Sequence, residues 1–125
     1  MSMKVCVIGL GQVGLPTAKY ILSKGFELWA YDVSPNAVLR AKERGIDKAT
    51  NNWSEIPDVE VYVICVSTML KGGSPDLSSI FDACKKIAEK NYLQSLISIE
   101  STIIPGTSKK IYKEVFNGKV YLVRG

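Results

Sequence analysis

Lys4 to Ile8 is a short run of apolar, β-prone residues that passes directly into Gly9-Leu10-Gly11-Gln12-Val13-Gly14, and Ala18, Ile21 and Leu22 then recur at helical spacing up to Gly25. Strand, glycine turn and helix in that order leave few folds open. A G-x-G-x-x-G alone is a weak signal in a chain with 10 glycines. Its flanks give each glycine a physical task. Gly9 allows the tight turn, Gly11 lets backbone approach a pyrophosphate, and Gly14 lets the helix sit close on the strand. The helix N-terminus, with free N–H groups at a positive dipole end, would hold the phosphates.

Glu27 to Tyr31 reads as the next strand, and Asp32 ends it eighteen residues beyond Gly14. A carboxylate there accepts hydrogen bonds from ribose hydroxyls and repels a 2′-phosphate, which favours NAD over NADP. No Arg or Lys follows Asp32 until Arg40. The structural alternative is a glycine turn with Asp32 capping a helix that starts near Pro35.

With 125 residues the chain suffices for one domain and is short for a whole dehydrogenase. No 18-residue apolar run is present, and Met1-Ser2-Met3-Lys4 leads straight into a strand without a signal peptide. A cytoplasmic location and no membrane association are expected. Cys6 and Cys65 fall in expected core strands and Cys84 on an apolar helix face, which suits small hydrophobes better than disulfides. Without a histidine, a metal site is not expected. The formal charge of +4 could suggest nucleic acid, but the lysines are scattered. Lys85-Lys86 and Lys109-Lys110 fall on expected helix surfaces, so a solvated face is expected and no nucleic-acid partner.

Apolar runs alternate with amphipathic stretches, giving an α/β chain with a doubly wound parallel sheet of the Rossmann type. Six strands are expected, about 3–9, 27–32, 47–50, 60–66, 96–100 and 119–123, in the order 3-2-1-4-5-6. Helices are expected near 12–24, 35–44, 76–90 and 106–116, with a short turn at 52–57. The 76–90 helix would take Asp76 as N-cap and bury Leu77, Ile80, Phe81, Cys84, Ile87 and Ala88. In such a sheet the ligand crevice lies outside the carboxyl ends of the strands, between the first and fourth. Polar residues cluster after those ends: Ser67-Thr68-Met69, a loop from Lys71 to Asp76, and Glu100-Ser101-Thr102, with Pro105 suited to a helical first turn. Glu100 and the hydroxyls could move protons or position a substrate. Thr68 and Thr102 as turn or cap residues, with Glu100 a surface acid, remains the alternative.

Four segments together resemble the UDP-glucose/GDP-mannose dehydrogenases: Val7 to Ala18, Ile64-Cys65-Val66-Ser67-Thr68, Ser74-Pro75-Asp76-Leu77-Ser78, and Glu100-Ser101-Thr102-Ile103-Ile104-Pro105-Gly106-Thr107. That family oxidises the C6 hydroxyl of a nucleotide sugar to a carboxylate with two NAD. The Glu-Ser-Thr form looks most like members acting on UDP-N-acetylhexosamines. The resemblance implies a role in polysaccharide biosynthesis and a cofactor set of Gly9, Gly11, Gln12, Val13, Gly14, Asp32, Val66, Thr68 and Thr102. It places Thr68 beside the cofactor and the catalytic water, and makes Glu100 the acid/base near the nucleotide-sugar substrate.

The chain departs from the family pattern in four ways. Ser67-Thr68-Met69 stands where the family usually has Pro-Thr-Pro, and Gln12 where it often has Tyr. Val33 to Ala37 lack the basic residue that often follows the ribose acid. The family's nucleophilic cysteine, lysine, dimer-forming central helix and nucleotide-sugar domain have no counterpart before Gly125. The chain is therefore expected to be an NAD-binding domain over 1–125, inactive alone and homodimeric in the complete enzyme. Two rivals remain. The β-hydroxyacid dehydrogenases resemble Gly9 through Pro16 and carry their own Ser-Thr motif after the fifth strand. A stand-alone nucleotide-sensing module would account for the length, although the chain stops right after a strand.

Overall fold

In a computed structural model of the chain, the described residues are 3–66, 70–71, 74–90, 95–100, 115 and 121–124. The elements are β1 (Lys4–Ile8), α1 (Gly14–Ser23), β2 (Glu27–Tyr31), α2 (Pro35–Glu43), β3 (Ala49–Thr50), a 3-10 turn (Trp53–Glu55), β4 (Val61–Ile64), β5 (Leu70–Lys71), β6 (Ser74–Pro75), α3 (Ser78–Ala88), β7 (Leu96–Ile99) and β8 (Tyr121–Arg124). The main sheet runs β3-β2-β1-β4-β7-β8, and every neighbouring pair is parallel. From the β3 edge its first five strands follow the 3-2-1-4-5 order of a doubly wound sheet, and β8 adds an outer strand beside β7. Between β3 and β4 the chain crosses from the β3 edge to the far side of β1, which leaves β1 and β4 adjacent with their connections leaving in opposite directions. A crevice opens at such a switch point.

The alternation along each strand decides which core a residue joins. Cys6 and Ile8 of β1, Tyr62 and Ile64 of β4, and Ile97 and Ile99 of β7 pack against Ile80, Ala83, Cys84 and Ile87 of α3. Val5 and Val7, with Leu28, Ala30 and Val63, face Leu15 and Ala18 of α1 and Ala37, Val38 and Ala41 of α2. Both faces are therefore covered, as continuous apolar strands require. Burying each large aliphatic side chain contributes about 1.5–3 kcal/mol before the conformational entropy that opposes it.

Several boundaries differ from the sequence expectation. α1 begins at Gly14, two residues late, so Gln12 and Val13 belong to the turn, and Leu22 stays exposed. β4 ends at Ile64, which puts Cys65 just past the strand. α3 starts at Ser78 with Leu77 in the cap position and no side-chain cap. Asp76 lies one residue further out, where its Oδ1 accepts the Ser78 N–H at 3.0 Å. The segment read as a loop pairs Leu70–Lys71 with Ser74–Pro75 as an antiparallel hairpin, a pairing too short to leave a periodicity. The helix expected near 106–116 lies outside the described residues, apart from Val115, which packs on the α3 side of the core.

Candidate functional site

The three glycines of the turn meet three different surroundings. Gly9 has φ +99°, and a Cβ there would lie 2.7 Å from the carbonyl carbon and oxygen of Cys65. Its N–H donates to Tyr31 O at 2.8 Å, tying the end of β1 to the end of β2. A Cβ on Gly14 would stand 1.6 Å from Gly9 O, so the start of α1 is pressed directly onto the turn. Gly11 has nothing within 4 Å of its Cβ direction and lines a cleft. Two glycines thus hold backbone against backbone, and the third leaves room for a ligand. α1 has Val13 as its N-cap, no side-chain cap and no acid in its first turn. Leu15 N–H already donates to Gly11 O at 3.1 Å and Pro16 has no N–H, so what the start of α1 offers an anion is its dipole and the amides of the turn before it.

The cleft measures about 720 Å³ and is lined by Gly9, Gly11, Gln12, Val13, Asp32, Val66 and Glu100, among others. Gly14 is buried beneath it. Of the expected site residues, Thr68 and Thr102 lie outside the described residues, as does Ser101. Asp32 follows β2 and Glu100 follows β7, so they flank the adjacent ends of β1 and β4.

Asp32 already has structural partners. Its Oδ2 accepts the Leu10 N–H at 2.8 Å and its Oδ1 the Ser34 N–H at 2.9 Å. The carboxylate clips the glycine turn to the β2–α2 turn. With about four lone-pair sites it keeps acceptor capacity for a ligand. The helix cap offered as its alternative role belongs to Ser34, whose Oγ accepts from Ala37 N at 3.3 Å, with Pro35 opening the helix. Tyr31 before it has its phenol pKa raised by burial and by the Asp32 charge.

Glu100 is exposed at the other side. Its N–H donates to Ile64 O at 2.8 Å, and its carboxylate accepts the Ser98 hydroxyl at 2.8 Å. Cys65 lies in the floor nearby. Burial first, and then the Glu100 charge, push its thiol up to about 11, against a hydrogen bond with Thr17. Cys84 is pushed up to about 12 by burial, and burial pushes Cys6 upward too. All three cysteines are free and buried, hence protonated near neutral pH. Among the described residues no group of His, Cys, Asp or Glu could hold a metal, and no helix is long and apolar enough to cross a membrane.

One wall had no forecast. Ser79, Asp82, Ala83 and Lys86 of α3 line the cleft at i, i+3, i+4 and i+7. This stripe runs beside the apolar one that the sequence displays, and the same spacing could have shown it. Lys86, expected to be solvated with Lys85, is half-buried in that wall, whereas Lys85 is exposed. Val33 and Val13 also border the cleft, 72% and 56% exposed. They are apolar ledges against which a flat base can pack.

Residues 36–122 match the NAD binding domain of the UDP-glucose/GDP-mannose dehydrogenase family. The chain belongs to that family. The match begins after Asp32, so the glycine turn and the acid stand as independent signs of the same domain. UDP-N-acetyl-D-mannosamine dehydrogenase of Pyrococcus horikoshii is 34% identical over 92% of this chain and 32% of its own length. A solved structure of the UDP-D-ManNAc dehydrogenase from the same organism superposes with a TM-score of 0.84 at 30% identity, covering 97% of this chain and 35% of that one. The mitochondrial 3-hydroxyisobutyrate dehydrogenase of Mus musculus is 33% identical over 86% of this chain and 31% of its own length. The chain thus spans about a third of the length of these relatives. In this family NAD is the cofactor of the domain, and the open face of Gly11 and the uncapped start of α1 suit its pyrophosphate.

Proposed function

We propose that this chain is the cofactor-holding part of a dehydrogenase that oxidises the C6 hydroxyl of a UDP-sugar, a UDP-N-acetylhexosamine in particular, to a carboxylate with two NAD. The observation that carries this is the cleft at the switch point, with Gly11 open to it and the carboxylates of Asp32 and Glu100 on either side. The Glu100-Ser101-Thr102 segment and the named relatives supply the choice of sugar.

In this reading Gly9, Gly11, Gln12, Val13 and Gly14 form the pyrophosphate turn. Asp32 receives the adenosine ribose, and Val66, Thr68 and Thr102 border the nicotinamide end. Bound NAD supplies the hydride acceptor. Glu100 holds or activates a water beside the substrate and takes its proton. Passing from aldehyde to acid requires a thiolate to form a hemithioacetal. Cys6, Cys65 and Cys84 are buried and protonated, so that nucleophile belongs to a part of the protein outside these 125 residues. A central helix, a nucleotide-sugar domain, homodimerisation and a cytoplasmic location complete the proposal.

Calorimetric titration tests it first. NAD should bind at one site, and absence of binding would overturn the reading. The chain alone should yield no NADH from UDP-sugars or GDP-mannose. Sustained NADH production would overturn the placing of the sugar-binding half and the nucleophile outside these residues.

A further inference from the structure

Among the described residues, four acids line the cleft, Asp32, Asp76, Asp82 and Glu100, against one cation, Lys86. A dinucleotide carries a negatively charged pyrophosphate, so these acids oppose its binding and the start of α1 and Lys86 counter them. The β2–α2 turn adds nothing positive, because Val33 to Ala37 contain no Arg or Lys.

The place of Lys86 is set by its backbone. The Trp53 indole N–H donates to Lys86 O at 3.1 Å, and the Trp53 ring meets the Tyr31 ring edge-on at 5.1 Å. Tyr31 is the last residue of β2 and immediately precedes Asp32. A short chain of contacts therefore runs from the ribose acid through Tyr31 and Trp53 to the third turn of α3. It brings Lys86 to the side of the cleft where β2 ends.

We propose that Lys86 meets the adenosine ribose of the bound dinucleotide, entering from α3 where the β2–α2 turn offers no cation, and that it narrows the discrimination between NAD and its 2′-phosphorylated form. The proposal rests on NAD occupying this cleft. An ammonium donates to a ribose hydroxyl, and it gains more from a 2′-phosphate, which Asp32 repels. The two residues set opposing preferences at one end of the site. NAD stays favoured, and NADP is disfavoured less than Asp32 alone would dictate.

Titration of the wild-type chain and of Lys86→Met, Lys86→Arg and Lys85→Met with NAD and with NADP decides the matter. Met keeps the apolar stem and the backbone carbonyl that holds Trp53, so the fold should survive. Lys86→Met should weaken NAD roughly tenfold, in line with loss of a hydrogen bond from a charged donor. It should weaken NADP further, so that the ratio of the two affinities widens. Lys86→Arg should restore most of both, and Lys85→Met should change neither. A second measurement reads the charge itself: added salt should lower the NADP/NAD affinity ratio more in the wild type than in Lys86→Met, because only the wild type has the ammonium's attraction to screen. Binding of NAD with an unchanged NAD/NADP ratio in Lys86→Met, or the same salt dependence of that ratio in the wild type and Lys86→Met, overturns the assignment of Lys86 and leaves the cofactor cleft standing. A wild-type chain that binds neither dinucleotide overturns both.

Discussion

Replacing Gly14 or Gly11 by alanine adds the same methyl group three residues apart, and the surroundings make the two changes opposite in kind. On Gly14 the methyl carbon would lie 1.6 Å from Gly9 O and 2.7 Å from Gly9 C. A relaxed carbon–oxygen contact lies at roughly 3.3 Å or more, so α1 must lift from the turn by well over an ångström. Overpacking of this sort costs about 1–3 kcal/mol or more, and backbone on both sides puts it at the upper end. The helix propensity gained by alanine returns about 1 kcal/mol. The net loss of about 2 kcal/mol or more should lower Tm by roughly 6–10 °C in a domain of this size. On Gly11 the methyl meets nothing within 4 Å, and the backbone there is not in the left-handed region. Gly11→Ala should therefore melt at the wild-type temperature or a few degrees above it, because the unfolded chain loses freedom. It should nevertheless bind NAD more than tenfold more weakly, since the methyl occupies space over the pyrophosphate turn. Differential scanning calorimetry and NAD titration on both variants provide the readouts. Full NAD affinity in Gly11→Ala would show that the pyrophosphate lies elsewhere, and a wild-type melt for Gly14→Ala would refute the close packing of helix on turn.

Asp32→Ala should weaken NAD by about 1–3 kcal/mol and also lower Tm, because the Leu10 and Ser34 amides lose their acceptor; wild-type NAD should bind more tightly than NADP, and equal affinities would sink the ribose role. Stability should fall in alkali. Cys65 and Cys84 have folded-state pKa values raised to about 11 and about 12 from 9.0, so the stability they contribute is complete below pH 9 and lost as pH rises through those values. A Tm that stays flat from pH 8 to 11 would contradict their burial, as would rapid labelling of three thiols in the native chain. In an enzyme that carries the rest of the relatives' length, Glu100→Gln should slow steady-state turnover by about 10²–10⁴-fold while NAD affinity changes little. Stopped-flow traces should then show a burst of NADH before the slow phase, and near-normal turnover would reduce Glu100 to the partner of Ser98.

Much of this site was legible from local pattern because its central parts are made by neighbours in the chain. The strand, turn and helix around Gly9 to Gly14 follow one another, and each glycine's task follows from the element on either side of it. Asp32 was found the same way, as the acid closing the second strand. Strands that read as apolar throughout required cover on both faces, which gives a parallel sheet and hence a crevice at its carboxyl edge.

What only the tertiary structure decided lies across the cleft. Periodicity records whether a side chain faces water or core, and a residue lining a wet cleft has half of each. Lys86 therefore looked like its solvated neighbour Lys85, and Asp82 like any surface acid. Their placement depends on α3 packing over β4 and β7 and on Trp53 bridging Tyr31 to α3, contacts between separate elements of the chain. The same holds for Cys65, whose thiol is raised by burial and by Glu100, 35 positions away in the chain. The amino-acid order by itself determined the elements, the turn and its acid. The order of strands in the sheet decided which side chains share the space between them, because only folding brings the ends of β2, β4 and β7 to one edge.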